Sequence, residues 1–306
     1  MTTPLKFWIF FHIGVFAILA FDLFRKTKTV SFKEASFWSI LWVSLSLGFN
    51  GLLWHWKGAD KALEFFTGYV IEYSLSVDNI FVFVLIFSYF KVPGEYQHRV
   101  LFWGVAGALV MRGIMIGVGS ALVERFHWIL YLFGAFLVFT GIKMIFHKED
   151  DAVNMEGNPL VRLCRRFLPI SAKDNGPRFL ARENGKWTLT PLALILATVE
   201  STDLIFAVDS IPAIFAITTD PFIIYTSNVC AIMGLRSLYF LIARVVDRFI
   251  YLKYGLAVVL SFIGVKMLAA KFWHISTAQS LSVVGVVLGI SIAASMLATR
   301  KSHTGG

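Results

Sequence analysis

The sequence predicts an all-α polytopic membrane protein with nine transmembrane helices, six of them forming two inverted three-helix repeats at roughly 62–146 and 189–272. Three observations carry that prediction. The 306 residues are 57% apolar and 16% aromatic but only 15% charged, whereas about a quarter of a soluble domain is charged. Apolar runs long enough to cross a bilayer recur along the chain. A short acidic motif occurs once in each half.

In order, the runs fall near 7–24, 35–56, 62–90, 100–123, 128–146, 189–218, 222–246, 254–272 and 281–299. The first has only Lys6 before it and no small-residue cleavage site after it, so it reads as a span rather than a cleaved leader. Residues 1–61 hold the first two spans, 62–146 the first repeat, 147–188 a hydrophilic loop, 189–272 the second repeat, and 273–306 the last span and a tail. With these spans, Lys and Arg divide 19 to 5 between alternate connections. The positive-inside rule then places the N-terminus outside and the C-terminus in the cytoplasm. Topology accounts for the net charge of +9, which calls for no nucleic-acid partner. The loop, with its basic portion from Arg162 to Lys186, reads as a cytoplasmic linker, a lipid-binding or regulatory loop being the alternative. Cys164 and Cys230 form no CxxC and no disulfide framework.

The repeat shows in VIEYSLSVDNIFVF at 70–83 and STDLIFAVDSIPAI at 201–214. Glu72 precedes Asp78 by six residues, as Asp203 precedes Asp209, and 131 positions separate the equivalent acids. Further echoes follow in the same order: Arg112 and Arg236, Glu124-Arg125-Phe126 and Asp247-Arg248-Phe249, Gly141-Ile142-Lys143-Met144 and Gly264-Val265-Lys266-Met267. Each copy holds three spans, an odd number, so the second enters the bilayer from the opposite side. Transporters use this construction, with a site near the midplane where equivalent helices meet.

A charged side chain at mid-bilayer costs about 3 kcal/mol or more, so acids retained there point to a functional site. Six residues turn a continuous helix by about 240°, which puts the two acids of each motif on different faces. An unwound turn in spans three and six would bring them to one cavity, and Pro212 sits where such a break could be fixed. Glu72, Asp78, Asn79, Glu200, Asp203 and Asp209 are the candidate metal ligands, an oxygen-only set suited to hard divalent cations. Arg112, Arg236 and Ser210 are candidate supporting or charge-coupling residues, with snorkelling or structural bracing of carbonyls as the alternative for the arginines, and a buried structural network paired with those arginines as the alternative for the acidic clusters. His12 and Cys230 read as structural, Lys143 and Lys266 as snorkelling, Asp22 as interfacial, and Asn50 as a helix-to-helix hydrogen-bond former or carbonyl donor.

EYSLSVDN at 72–79 and ESTDLIFAVDSIPA at 200–213 resemble the two signature segments of the TerC/Alx family of integral membrane proteins. The resemblance extends to Ser88-Tyr89-Phe90, Arg112 and the Gly141–Met144 segment, and covers roughly residues 35–275. It implies a nine-span bacterial inner-membrane protein that exports manganese, with calcium in some relatives, and an older association with tellurite resistance and alkaline or redox stress. It also implies that Glu72, Asp78, Glu200, Asp203 and Asp209 hold the metal.

Together these readings predict a secondary transporter that exports a divalent cation, Mn2+ first and Ca2+ second, as substrate. No resident cofactor and no enzymatic step are expected. No Walker motif is present, so protons rather than ATP are the expected coupling partner, alongside membrane lipid. The alternative is a membrane-anchored tellurite or redox-stress resistance factor that acts through partner proteins. An intramembrane hydrolase has little support, because no base–nucleophile pattern is present.

Overall fold

The computed structural model describes residues 3–24, 31–146, 171, 176–183, 185–243, 251–273 and 275–303. The chain is helical almost throughout. Helix α1 spans Leu5–Phe24, α2 Phe32–Lys57, α3 Ala59–Tyr89, α4 Gly94–Arg125 and α5 Ile129–Phe146. After a hairpin of β1 (Leu180–Glu183) and β2 (Lys186–Leu189) come α6 (Pro191–Phe215), α7 (Pro221–Met233), α8 (Leu235–Ile242), α9 (Leu252–Ala269) and α10 (Thr277–His303).

Among the described residues seven helices, α2–α6, α9 and α10, are long and apolar enough to cross a membrane, and α1 and α7 add shorter apolar stretches. Large apolar side chains such as Phe16, Ile40, Phe139 and Ile290 are more than 60% exposed. Four such residues facing water would be costly; facing lipid they need no partner. The chain is an all-α polytopic membrane protein.

Sequence-local devices set the helix starts. Ser31 accepts from the Glu34 N–H at 3.2 Å, and Thr190 from the Ala193 N–H at 3.2 Å. Asp220 caps α7 through the Phe222 N–H at 3.0 Å. Pro191 and Pro221 follow their caps in the first turn, where a missing N–H costs nothing. Gly58 joins α2 to α3 with φ +90°, a conformation that favours glycine.

Helices α3, α4, α6 and α7 pack against one another, and α5 lies along α9. That last seam is very close. A Cβ on Gly264 would lie 2.6 Å from the Gly134 carbonyl oxygen, and one on Gly141 would lie 2.7 Å from that of Ala257. These contacts are reciprocal. Residue 257 is 123 positions after Gly134, and residue 264 is 123 positions after Gly141, so each member of one contact has its counterpart in the other.

Two expectations are corrected. Spans three and six are not interrupted: α3 and α6 run unbroken through both motifs. Pro212 lies only three residues before the end of α6, so the bond it removes belongs to the last turn. The expected single span at 222–246 is instead two helices meeting at Gly234, where α2 (Trp42) and α3 (Tyr73) approach the backbone, and residues 244–250 lie outside the described set. The loop expected at 147–188 carries one described element. Most of it, including Cys164, lies outside the described residues, but its end forms an antiparallel hairpin pairing Leu180 with Leu189 and Glu183 with Lys186. Thr190 ties that hairpin to α6, since its hydroxyl donates to the Arg178 carbonyl at 2.6 Å while capping the helix.

Candidate functional site

An unbroken helix returns to nearly the same face every seven residues, because seven steps of about 100° make almost two full turns. Glu72 and Asn79 therefore share one face of α3, and Asp203 and Ser210 share one face of α6. These two pairs, related by the same 131-residue offset, meet around Arg112 of α4.

Arg112 is 1% exposed and Glu72 is fully buried. Arg112 Nη1 donates to Glu72 Oε1, to Asn228 Oδ1 of α7 at 2.8 Å and to Ser210 Oγ at 3.3 Å. Nη2 reaches Asp203 Oδ1 at a longer 3.4 Å. Asn228 Nδ2 donates to Glu72 Oε2 at 3.0 Å, so both oxygens of Glu72 are held. Asn79 Nδ2 donates to Asp203 Oδ1 at 3.3 Å. Breaking a buried pair such as Glu72–Arg112 by deleting one partner costs about 3–5 kcal/mol, since the other charge is left alone.

Not every polar atom here is matched. Among the described residues Asp203 Oδ2, Asn79 Oδ1, Arg112 Nε and Ser76 Oγ are buried without a hydrogen-bond partner. Asp203 also lines, with Glu200, Phe83, Leu101, Val105 and Leu235, a cavity of about 10 Å³, room for one water-sized body. The Glu200 carboxylate lies over Gly107 of α4, where a Cβ would come within 2.2 Å of Oε1. Only glycine leaves the carboxylate that space.

The structure thus gathers Glu72, Asn79, Asp203, Ser210 and Arg112, with Glu200 beside them. It turns Asp209 elsewhere: its Oδ1 accepts from Thr140 of α5 at 3.2 Å. The side chain of Asp78 lies outside the described residues, as does that of Asp22. Arg236 is buried on α8. His12 is structural, as expected: Nδ1 donates to the Trp8 carbonyl at 2.8 Å, and Nε2 accepts from the Tyr225 hydroxyl at 3.2 Å. Asn50 Oδ1, the carbonyl of the expected helix-to-helix hydrogen-bond former or carbonyl donor, is buried without a hydrogen-bond partner among the described residues. Among those residues no group of three or more His, Cys, Asp or Glu side chains gathers as a metal site, so the local oxygen set mixes carboxylates with an amide.

Asn228 is the residue that sequence reasoning missed. Its signal was available, since an asparagine within an apolar span needs a partner.

Fold and site together define a polytopic helical membrane protein with a buried, partly unsatisfied charge cluster between its central helices. The model of the integral membrane protein TerC family matches residues 57–303, and this chain belongs to that family. It is 52% identical over 302 residues to an Escherichia coli K12 protein provisionally named membrane-bound redox modulator Alx, covering 95% of this chain and 92% of that one. It is 51% identical over 301 residues to an uncharacterized membrane protein, STKORF319, of Myxococcus xanthus, covering 97% and 94%. An uncharacterized membrane protein of Rickettsia bellii is 40% identical over 293 residues, covering 95% and 97%. No solved structure matches the chain.

Proposed function

We propose that this chain is a secondary transporter that exports a divalent cation from the cytoplasm across a bacterial inner membrane. Mn2+ is the first substrate, Ca2+ the alternative, and protons move in exchange. One observation carries the reading: Asp203, whose Oδ2 is buried without a partner among the described residues, lines a cavity with Glu200, and the Oδ1 of Asn79, which is bonded to Asp203 through its Nδ2, is likewise unmatched. Unmatched buried oxygen is costly, and a cation would satisfy it. Oxygen-only donors favour hard ions over zinc or copper. Clustered carboxylates repel one another, so protons are the natural replacement when the ion leaves.

In this reading the chain has nine spans, with the N-terminus outside and the C-terminus in the cytoplasm, and its two halves are inverted repeats. Their support is the charge distribution together with reciprocal contacts. Besides those between α5 and α9, Gly68 lies against Ser227 and Gly104 against Val199, and the offsets of 131 and 123 interchange the two pairs. A self-complementary interface has this property.

The test is purified protein in liposomes enclosing a Mn2+-quenched dye, together with Mn2+-loaded cells. Asp203→Asn cells should retain more Mn2+ than wild type. Equal retention in the two strains refutes the transport reading.

A second reading is a membrane-anchored stress-resistance factor acting through partner proteins, favoured by the provisional redox name of the Escherichia coli relative. Deleting part of 150–185 while sparing the spans separates the two. Loss of tellurite or redox tolerance with metal flux intact favours the second.

A further inference from the structure

The transport reading leaves open what keeps Arg112 from occupying the place of the ion, and the inference below rests on that reading. A guanidinium beside Asp203 is itself a cation, and in the same cleft it would compete with a divalent substrate for the same carboxylate.

Its bonds are lopsided. Nη1 carries three acceptors, Glu72, Asn228 and Ser210, whereas Nη2 makes one long contact to Asp203 at 3.4 Å. The guanidinium is thus drawn toward Glu72, and Asp203 Oδ2 keeps no partner among the described residues although Asp203 is only 3% exposed. Asn228 is fully buried and bridges the ion pair, accepting from Arg112 and donating to Glu72. Neither a carboxylate nor an aliphatic residue could do both.

We infer that Asn228 is a positioning residue for divalent-cation binding: it clamps Arg112 to Glu72 and so leaves Asp203 Oδ2 and Asn79 Oδ1 open to the substrate ion beside Glu200. Ser210 is the weaker member of the same clamp. Without Asn228, Arg112 loses its best neutral acceptor, Glu72 Oε2 loses its donor, and the guanidinium can swing onto Asp203. The consequence is competition, which weakens ion binding and leaves the transport steps themselves in place.

Asn228→Gln and Asn228→Met are the informative pair, because the two side chains have nearly the same length and differ in the terminal amide. Glutamine keeps an oxygen that can accept from Arg112 and an N–H that can donate to Glu72, whereas methionine has no donor and only a weak acceptor. In liposomes with the Mn2+-quenched dye, Asn228→Met should raise the KM for Mn2+ about tenfold, and Asn228→Gln should raise it by about threefold or less. The two should share the same maximal rate. Ser210→Ala should shift KM in the same direction by less. Equal KM values for the glutamine and methionine variants, or a difference confined to the maximal rate, overturn the clamp while leaving transport standing. Wild-type liposomes that move no Mn2+ overturn the transport reading itself, and the clamp with it.

Discussion

Asn79 donates to Asp203 across the α3–α6 interface at 3.3 Å, joining two residues 124 positions apart in the chain. The bond ties the motif of one half to that of the other beneath Arg112. Asp209, six residues further along α6, turns instead to Thr140 of α5.

That division predicts unequal costs for two conservative substitutions. Asp203→Asn removes charge from the oxygen set beside the cavity, and Asp209→Asn removes it from a different face of the helix. The KM for Mn2+ should rise at least tenfold more in Asp203→Asn than in Asp209→Asn, measured in the liposome assay. Equal shifts would mean that both acids serve one ion.

Removing Arg112 alone leaves Glu72 and Asp203 buried without their cation. Arg112→Met should cost about 3–5 kcal/mol of stability, and Glu72→Gln/Arg112→Met should recover part of that loss, because Asp203 is then the one carboxylate left without its cation. Thermal unfolding in detergent reads the difference. A double variant as unstable as the single would show that packing, not charge, holds the cluster.

The α5–α9 seam tolerates no added methyl. Gly264→Ala places a Cβ 2.6 Å from a backbone oxygen, which cannot rotate away, and should destabilise the protein by about 1–3 kcal/mol. Gly48→Ala in α2 meets nothing within 4 Å and should be neutral or slightly stabilising. Melting temperatures of the two variants, compared with wild type, provide the check.

Lys57 at the end of α2 donates to Asp220 at 2.9 Å, and Asp220 also caps α7. Lys57→Ala loses a partly exposed ion pair, about 1 kcal/mol or less, together with its hydrogen bond to Thr3 and its place over the Phe222 ring. Asp220→Ala loses the cap as well and should cost about 1 kcal/mol more. Urea or thermal titration of both variants measures the gap, and an equal loss would assign the cap no role.

Pro212→Ala restores a bond in the last turn of a continuous helix. Transport should persist with KM within about twofold of wild type, because no ligand depends on an unwound turn. Loss of Mn2+ flux in a well-folded Pro212→Ala protein would return the broken-helix mechanism.

Apolar length located most of the helices within a few residues, since hydrocarbon thickness constrains them, although α4 starts six residues before its expected position and the run at 222–246 divides at Gly234. The acids were legible too, because each is conspicuous in an apolar span. Their mutual arrangement was not. The spacing of six between Glu72 and Asp78 suggested a break, whereas the informative interval was the seven from Glu72 to Asn79 and from Asp203 to Ser210. Asn228 escaped because it lies outside both acidic motifs, although an asparagine in an apolar span needs a partner. The hairpin was signalled by Asn184-Gly185, a pair that favours a tight two-residue turn, and Gly185 has φ +78°. The break at Gly234 had no such mark, because it reflects the approach of Trp42 and Tyr73 from helices distant in sequence.

The exchanged contacts of Gly134 with Gly264 and Gly141 with Ala257 bear on descent. In the proposed reading of two inverted repeats, a seam that reads alike from either side is one that a lone three-helix unit could form with an upside-down twin. Such a unit, if inserted into the bilayer in both directions, would need only a tether between the twins to become a single gene product. The hydrophilic stretch before α6 has the length and position for that tether.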